Sequence, residues 1–334
     1  MLKNLHNNTI VYTFVPIVPV ALPVRTAFWS FFYTKMANKT PKTVEEQIAL
    51  LKERGMLFRN EANAPHFLKN ISYYRLKGYW WEMQSNKVKH IFNDYSYFEE
   101  VIDLYNFDRH LRLLMFDAIE RIEVALRTKL IYQLSLSYGP LCYIDYTIFS
   151  DKTKQKSITD HLNIEIARSK EQFILEHNRN HKNELPEAWK ALEVASLGTL
   201  SKLYKNLTHQ LPEKSKIAIE FGFNSHKDFS SFLEATTVIR NVIAHHSRLW
   251  NNNITTKYLW PKNLKNQPIT YIPNENQRAK LFSLLSLTLY TIDCISPGNS
   301  IKTKFFKLVN EYPNVPLHKM GFPANWRTQP IWVQ

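Results

Sequence analysis

The sequence predicts an all-α fold, and two observations carry that expectation. Glycine is scarce, with 7 in 334 residues, which suits a strand-and-turn architecture poorly. Apolar residues make up 44% of the chain and recur at helical spacing over long stretches. The longest, Phe98–Tyr138, runs without proline until Gly139-Pro140 stops it. With 13% aromatic residues besides, the chain can bury a substantial core.

The elements follow in order. Between positions 10 and 33 the chain is strongly apolar, yet Pro16, Pro19, Pro23 and Arg25 interrupt it, which makes a poor membrane-spanning helix. The segment also lacks the charges and cleavage site of a signal peptide. Met36 follows at once and opens an ordinary N-terminus, so Met36 is expected to be the true start and 1–35 a mis-assigned extension. The remainder divides into an N-terminal helical and aromatic module (36–97), a helical core (98–260), and C-terminal helices with a docking tail (261–334).

Thr43 caps a helix over 44–54. Aromatics then interleave with cations in Tyr73-Tyr74-Arg75-Leu76-Lys77-Gly78-Tyr79-Trp80-Trp81. In such a mixture Tyr74, Arg75 and Lys77 can stack bases and hold phosphates, although packing is the commoner use of so many rings. Residues 88–97 read as a polar loop. In the long helix that follows, Asp117, Glu120, Arg121, Glu123 and Arg127 gather on one side, with Asp117–Arg121 and Glu123–Arg127 as i to i+4 pairs of favourable sign. That face is either a solvated surface or a support for a site elsewhere, with Glu120, Arg121 and Arg127 as the supporting candidates. Residues 151–182 read as a charged helix facing solvent, 185–207 as a helix broken near Gly198, and 278–295 as an apolar helix. After a last helix over 300–311, the extended tail through Phe322 and Trp326 must dock, because its rings would otherwise lie in water.

The candidate chemistry lies in 238–252. Ser225 with Asp228 starts a helix, and the Asn251-Asn252-Asn253 run is expected to end it. At about 100° per residue, Arg240, Asn241, Ala244, His245 and Arg248 share one sector. Val242, Ile243, His246, Leu249 and Trp250 form the apolar arc. Arg240 then suits bidentate phosphate binding, Asn241 hydrogen bonding and His245 proton transfer. Arg248 stands by in support, and His246 is expected to be a packed, structural histidine. One arginine and one histidine five apart are common in helices, so the spacing alone is weak.

The formal charge of +14 is spread along the chain, which favours an extended anionic partner such as nucleic acid, although solubility explains it about as well. Cys142 and Cys294 fit neither a metal site nor a disulfide framework, which points to the cytoplasm. Neither a metal nor another cofactor is expected. A metal held by His245 and His246 is disfavoured, since adjacent histidines diverge on a helix and no carboxylate stands at a zinc-binding spacing.

Four separated segments together resemble one family. They are Tyr73-Tyr74-Arg75-Leu76-Lys77-Gly78-Tyr79, the block from Phe107-Asp108-Arg109 through Glu120-Arg121-Ile122-Glu123 to Thr128, the block from Arg240-Asn241 through Ala244-His245-His246-Ser247-Arg248-Leu249-Trp250-Asn251, and Met320-Gly321-Phe322-Pro323-Ala324-Asn325-Trp326. In this order they resemble the bacterial Abi family of abortive-infection proteins, of the AbiD/AbiF type, over about 41–332. That family is similar to the HEPN superfamily of helical domains. The resemblance implies a HEPN-like helical bundle and metal-independent RNA cleavage, with Arg240, Asn241 and His245 at the catalytic positions and a composite site made by a homodimer. It implies RNA as the partner, an antitoxin RNA or protein as a restraining one, and no membrane. The alternative is a non-catalytic HEPN protein that holds a guide or antitoxin RNA.

Overall fold

The computed structural model describes residues 40–333, so the readings of 1–35 and of Met36 as the start fall outside it. The described chain is 65% helical, with thirteen helices and one two-stranded hairpin, in agreement with the all-α expectation. Helix α1 (Val44–Glu53) begins at a full capping box, with Thr43 and Glu46 bonding each other's backbone N–H. It packs on α2 (Ala64–Ile71), which leads into α3 (Tyr73–Trp80). The segment read as a loop is largely turn and irregular, but its Ile91–Phe92 forms a strand β2 that pairs antiparallel with β1 (Gln84–Asn86), Gln84 opposite Phe92.

Helix α4 (Phe98–Tyr138) is one uninterrupted helix of 41 residues, about 60 Å long at 1.5 Å per residue. It is the spine of the molecule. Apolar residues recur at three- and four-residue steps, among them Phe107, Leu111, Met115, Ala118, Ile122, Leu126, Leu130 and Leu134, and all of these are buried. The helix stops at Gly139, whose φ of +81° only glycine adopts readily.

Residues 151–182 form two helices, α5 (Lys152–Arg168) and α6 (Gln172–Asn180), rather than one facing solvent. Ile158, Leu162, Ile166 and Ile174 are buried despite the surrounding charge. The next segment is also divided. A four-residue helix α7 (Ala188–Ala191) ends, and α8 (Leu197–Asn206) restarts at the cap Ser196, just before Gly198. Helices α9 (Pro212–Glu220) and α10 (His226–Ala244) follow, and both pack against α4.

A short helix α11 (Glu275–Arg278) is separated by a two-residue break from α12 (Leu281–Ile295), where a single helix over 278–295 was expected. Helices α12 and α13 (Ile301–Glu311) lie along α4. The tail docks onto them: Phe322 stacks on Phe305 at 5.5 Å, and the Trp332 Nε1–H donates to Ser286 Oγ at 2.9 Å. Among the described residues no helix is long and apolar enough to cross a membrane.

One buried cation shapes how the core responds to pH. Lys214, on α9, is 1% exposed, and its Nζ donates to the carbonyls of Lys205 and Leu207 at the end of α8. Burial pushes its amine down to about 8, while the unfolded chain holds its proton to about 10.4. A neutral amine still carries two N–H bonds, one for each carbonyl. The penalty for burying the charge is therefore complete below pH 8 and is relieved as pH rises towards 10.5. Wild type should gain stability over Lys214→Met by up to roughly 3 kcal/mol across that window. Denaturant unfolding of both chains at several pH values checks this, and a pH-independent difference would refute it.

Candidate active site

Helix α10 starts with the Ser225 side chain accepting from the Asp228 N–H and buries Phe229, Phe232, Leu233, Ala235, Thr236, Ile239 and Ile243. Its end differs from the sequence expectation. The helix stops at Ala244, with His245 as the C-cap, well before Asn251. His246 takes a left-handed conformation, φ +55°. The His246 N–H bonds to the Ile243 carbonyl and the Ser247 N–H to the Val242 carbonyl, both at 2.9 Å. This is a Schellman closure, with histidine where glycine is usual. A left-handed histidine costs on the order of 1 kcal/mol, so the surroundings must enforce it.

Those surroundings come from α3 and α4. The Arg75 Nη1 donates to the His246 carbonyl at 2.7 Å, and Arg248 donates to the Gly78 carbonyl. Asp108, fully buried on α4, accepts from the Leu249 N–H at 3.0 Å, the Trp250 N–H at 2.6 Å and the Tyr79 hydroxyl at 2.7 Å, and it is also paired with Arg112. Two of the segments that carry the family resemblance, Tyr73 to Tyr79 and the block opening at Phe107-Asp108-Arg109, thus clamp the turn after α10.

The early stop redistributes the expected site residues. His246 is exposed instead of packed, because the left-handed turn lifts it off the apolar arc. Arg248 is swung away from Arg240, over the Trp250 ring at 5.9 Å and onto α3. Arg240 is half-buried and borders two clefts. One, of about 690 Å³, is lined by Arg75, Arg109, Arg112, Arg240 and His246 with Tyr105 and Phe116, and among the described residues no carboxylate borders it. The other, of about 210 Å³, is lined by Glu120, Glu123, Arg127 and Arg240 with Phe116 and Val124. Asn241 and His245 are exposed and border neither cleft, so the single sector expected for them with Arg240 is divided: offsets of about 100° and 140° around the helix carry them off its face.

The charged face of α4 is split in two. Glu120, Glu123 and Arg127 lie beside Arg240, and burial raises the Glu123 carboxyl above its usual range despite the pull of Arg127 and Arg240. Arg127 is a strut: it donates to the Leu192 and Ala195 carbonyls, each at 3.0 Å, and to Glu123 at 3.1 Å. Arg121 faces elsewhere, bonded to Asp117 and to Ser296 beside the C-terminal helices. Asp117 and Arg121 lie about 100° around the helix from the Glu120, Glu123 and Arg127 sector, so a single wheel merges two surfaces. Of the three aromatic-segment candidates, Arg75 joins the large cleft. Tyr74 is 77% exposed beside Tyr73, and Lys77 lies over Trp81. Among the described residues no group of three or more His, Cys, Asp or Glu is placed to hold a metal ion.

Arg109 and Arg112 had no role in the sequence reading. Their signal was the spacing of Tyr105, Arg109, Arg112 and Phe116 along one stripe of α4, which becomes meaningful only when α3 and α10 close against it.

Fold and site together define a helical protein with a cationic cleft at a strained helix terminus. The family model for Abi-like proteins matches residues 66–251, more than half the chain, and the match takes in α3, α4, α10 and the clamped turn. The chain belongs to the Abi-like protein family, which supports a role in abortive-infection defence. No curated protein and no solved structure matches it.

Proposed function

We propose that this protein is a metal-independent endoribonuclease of the HEPN type, acting in abortive infection by cutting RNA. The observation that carries the reading is Arg240, half-buried on the wall of a cleft without carboxylates among the described residues, five and six residues before two exposed imidazoles at the helix end. RNA supplies its own nucleophile, because a ribose 2′-hydroxyl can attack the adjacent phosphate. That step needs a base for the hydroxyl proton, an acid for the departing 5′ oxygen and a cation for the negative charge that builds on the non-bridging phosphoryl oxygens. Arg240 supplies the cation, and His245 moves a proton. Asn241 donates a hydrogen bond to phosphate.

Because Asn241 and His245 face out from α10 while Arg240 faces in, a second copy docking its own α10 here would bring two His245 side chains to one phosphate. A homodimer with a composite site is therefore part of the reading, as is an antitoxin RNA or protein that covers the site until infection.

The test is to incubate the purified chain with single-stranded RNA in excess chelator, beside Arg240→Ala prepared identically. Cleavage by wild type alone, leaving 2′,3′-cyclic phosphate ends, is the expected result. Tight RNA binding without cleavage, or cleavage that the chelator abolishes, would replace this reading, the former with that of a non-catalytic RNA holder.

A further inference from the structure

The larger cleft carries an inference of its own. Its volume of about 690 Å³ lies within the roughly 300–1,000 Å³ of small-ligand sites. Four guanidinium groups and an imidazole border it, and their commitments differ. Arg112 is neutralised by Asp108. Arg75 spends one N–H on the His246 carbonyl but has no carboxylate partner among the described residues. Arg109 and Arg240 make neither a side-chain hydrogen bond nor an ion pair among the described residues. Cations crowded together repel one another, and an anion entering the cleft relieves that repulsion.

The aromatic walls narrow the class of anion. Along α4 the order is Tyr105, Arg109, Arg112, Phe116, at steps of four, three and four residues, so one stripe about 16 Å long alternates ring, cations, ring. Phe116 is 45% exposed. Rings beside free guanidinium groups suit a nucleobase next to its phosphate. A duplex hides its base faces, so the rings favour a single strand. Beyond Phe116 the stripe turns acidic at Glu120 and Glu123, which border the smaller cleft with Arg240. A phosphate backbone reaching Arg240 is therefore repelled on that side and drawn towards Arg109 and Arg75 on the other.

We propose that this cleft binds a phosphate and a stacked base of single-stranded RNA adjoining the cut, and that Arg109 is a phosphate-binding residue outside the Arg–His motif. The inference rests on the ribonuclease reading for the identity of the strand, and its test separates the two. Binding of a short fluorescent single-stranded RNA is measured by anisotropy in chelator as salt is varied. Wild type is compared with Arg109→Ala, Arg109→Lys, Phe116→Ala and, on α5 outside the cleft, Lys156→Ala. Thermal midpoints are read alongside, and exposed Arg109 should leave them unchanged.

Arg109→Ala is expected to weaken binding about tenfold and to lower the slope of log affinity against log salt by about 0.7, the value for one phosphate contact on a single strand. Arg109→Lys recovers the slope and part of the affinity. Phe116→Ala weakens binding with the slope unchanged, and Lys156→Ala has no effect. Duplex RNA and a nucleoside monophosphate should both bind more weakly than the strand.

Wild-type affinity and slope in Arg109→Ala would overturn the proposal, as would tighter binding of the duplex or of the mononucleotide. Loss of binding in Arg109→Ala with no cleavage by any chain keeps this site and removes the ribonuclease reading. Efficient cleavage with normal binding by Arg109→Ala does the reverse.

Discussion

His245→Ala should lower the rate of RNA cleavage by about 10²–10⁴-fold while leaving single-stranded RNA binding within a factor of about two, since a proton-transfer group contributes at the transition state and little before it. Its exposure at the C-cap of α10 means that truncation removes no packing, so stability should not change. Arg240 is the contrasting case. Arg240→Ala should impair both cleavage and binding, and Arg240→Lys should recover binding more than rate, because a point charge cannot reproduce a two-pronged grip on a phosphate gaining charge. Single-turnover rates and anisotropy measured on the same preparations separate the two roles. A His245→Ala chain with the wild-type rate would remove His245 from the chemistry and turn attention to His246, the imidazole that borders the arginine cleft. The composite-site reading adds that the active species has the mass of two chains in light scattering, and a monomer with the full rate would refute that part.

The second large effect concerns stability. Asp108→Ala should cost about 3–5 kcal/mol of unfolding free energy, because it leaves Arg112, 7% exposed, without its counter-charge and strips the Leu249 and Trp250 N–H groups of their acceptor. Asp108→Asn keeps the shape and one acceptor oxygen, so its loss should be smaller but still well above 1 kcal/mol. Both variants should release the turn after α10 and so weaken RNA binding at temperatures where the chain remains folded. Denaturant unfolding gives the energy, and amide exchange at residues 246–250 gives the release. A loss below 1 kcal/mol for Asp108→Ala would mean that the buried pair is compensated elsewhere.

What the sequence made legible follows local rules. Helix α4 was readable because no proline interrupts it and Gly139 supplies a left-handed stop. Thr43 and Ser225 announced their helices by capping chemistry, and the rings at Phe322 and Trp326 required burial wherever they went. The end of α10 was not readable. Leu249 and Trp250 continue the apolar period past Ala244 and mimic a longer helix, yet they are buried through the turn that Asp108 holds. The residue that breaks the helix is a histidine, and nothing local marks it for a left-handed conformation. The enforcing contacts come from Arg75 and Asp108, more than a hundred residues earlier in the chain. For the same reason the arginine cleft was invisible, since its cations belong to three helices that periodicity treats one at a time.

The bond from Arg75 to the His246 carbonyl joins residues 171 positions apart. Synthesis therefore sets a clock on this site. Arg75, Arg109 and Arg112 leave the ribosome early, but the wall that they clamp is made more than a hundred residues later, and the cleft cannot close until the chain beyond Trp250 has emerged. A polypeptide interrupted before α10 carries Arg75, Arg109 and Arg112 but lacks the wall against which they form the cleft.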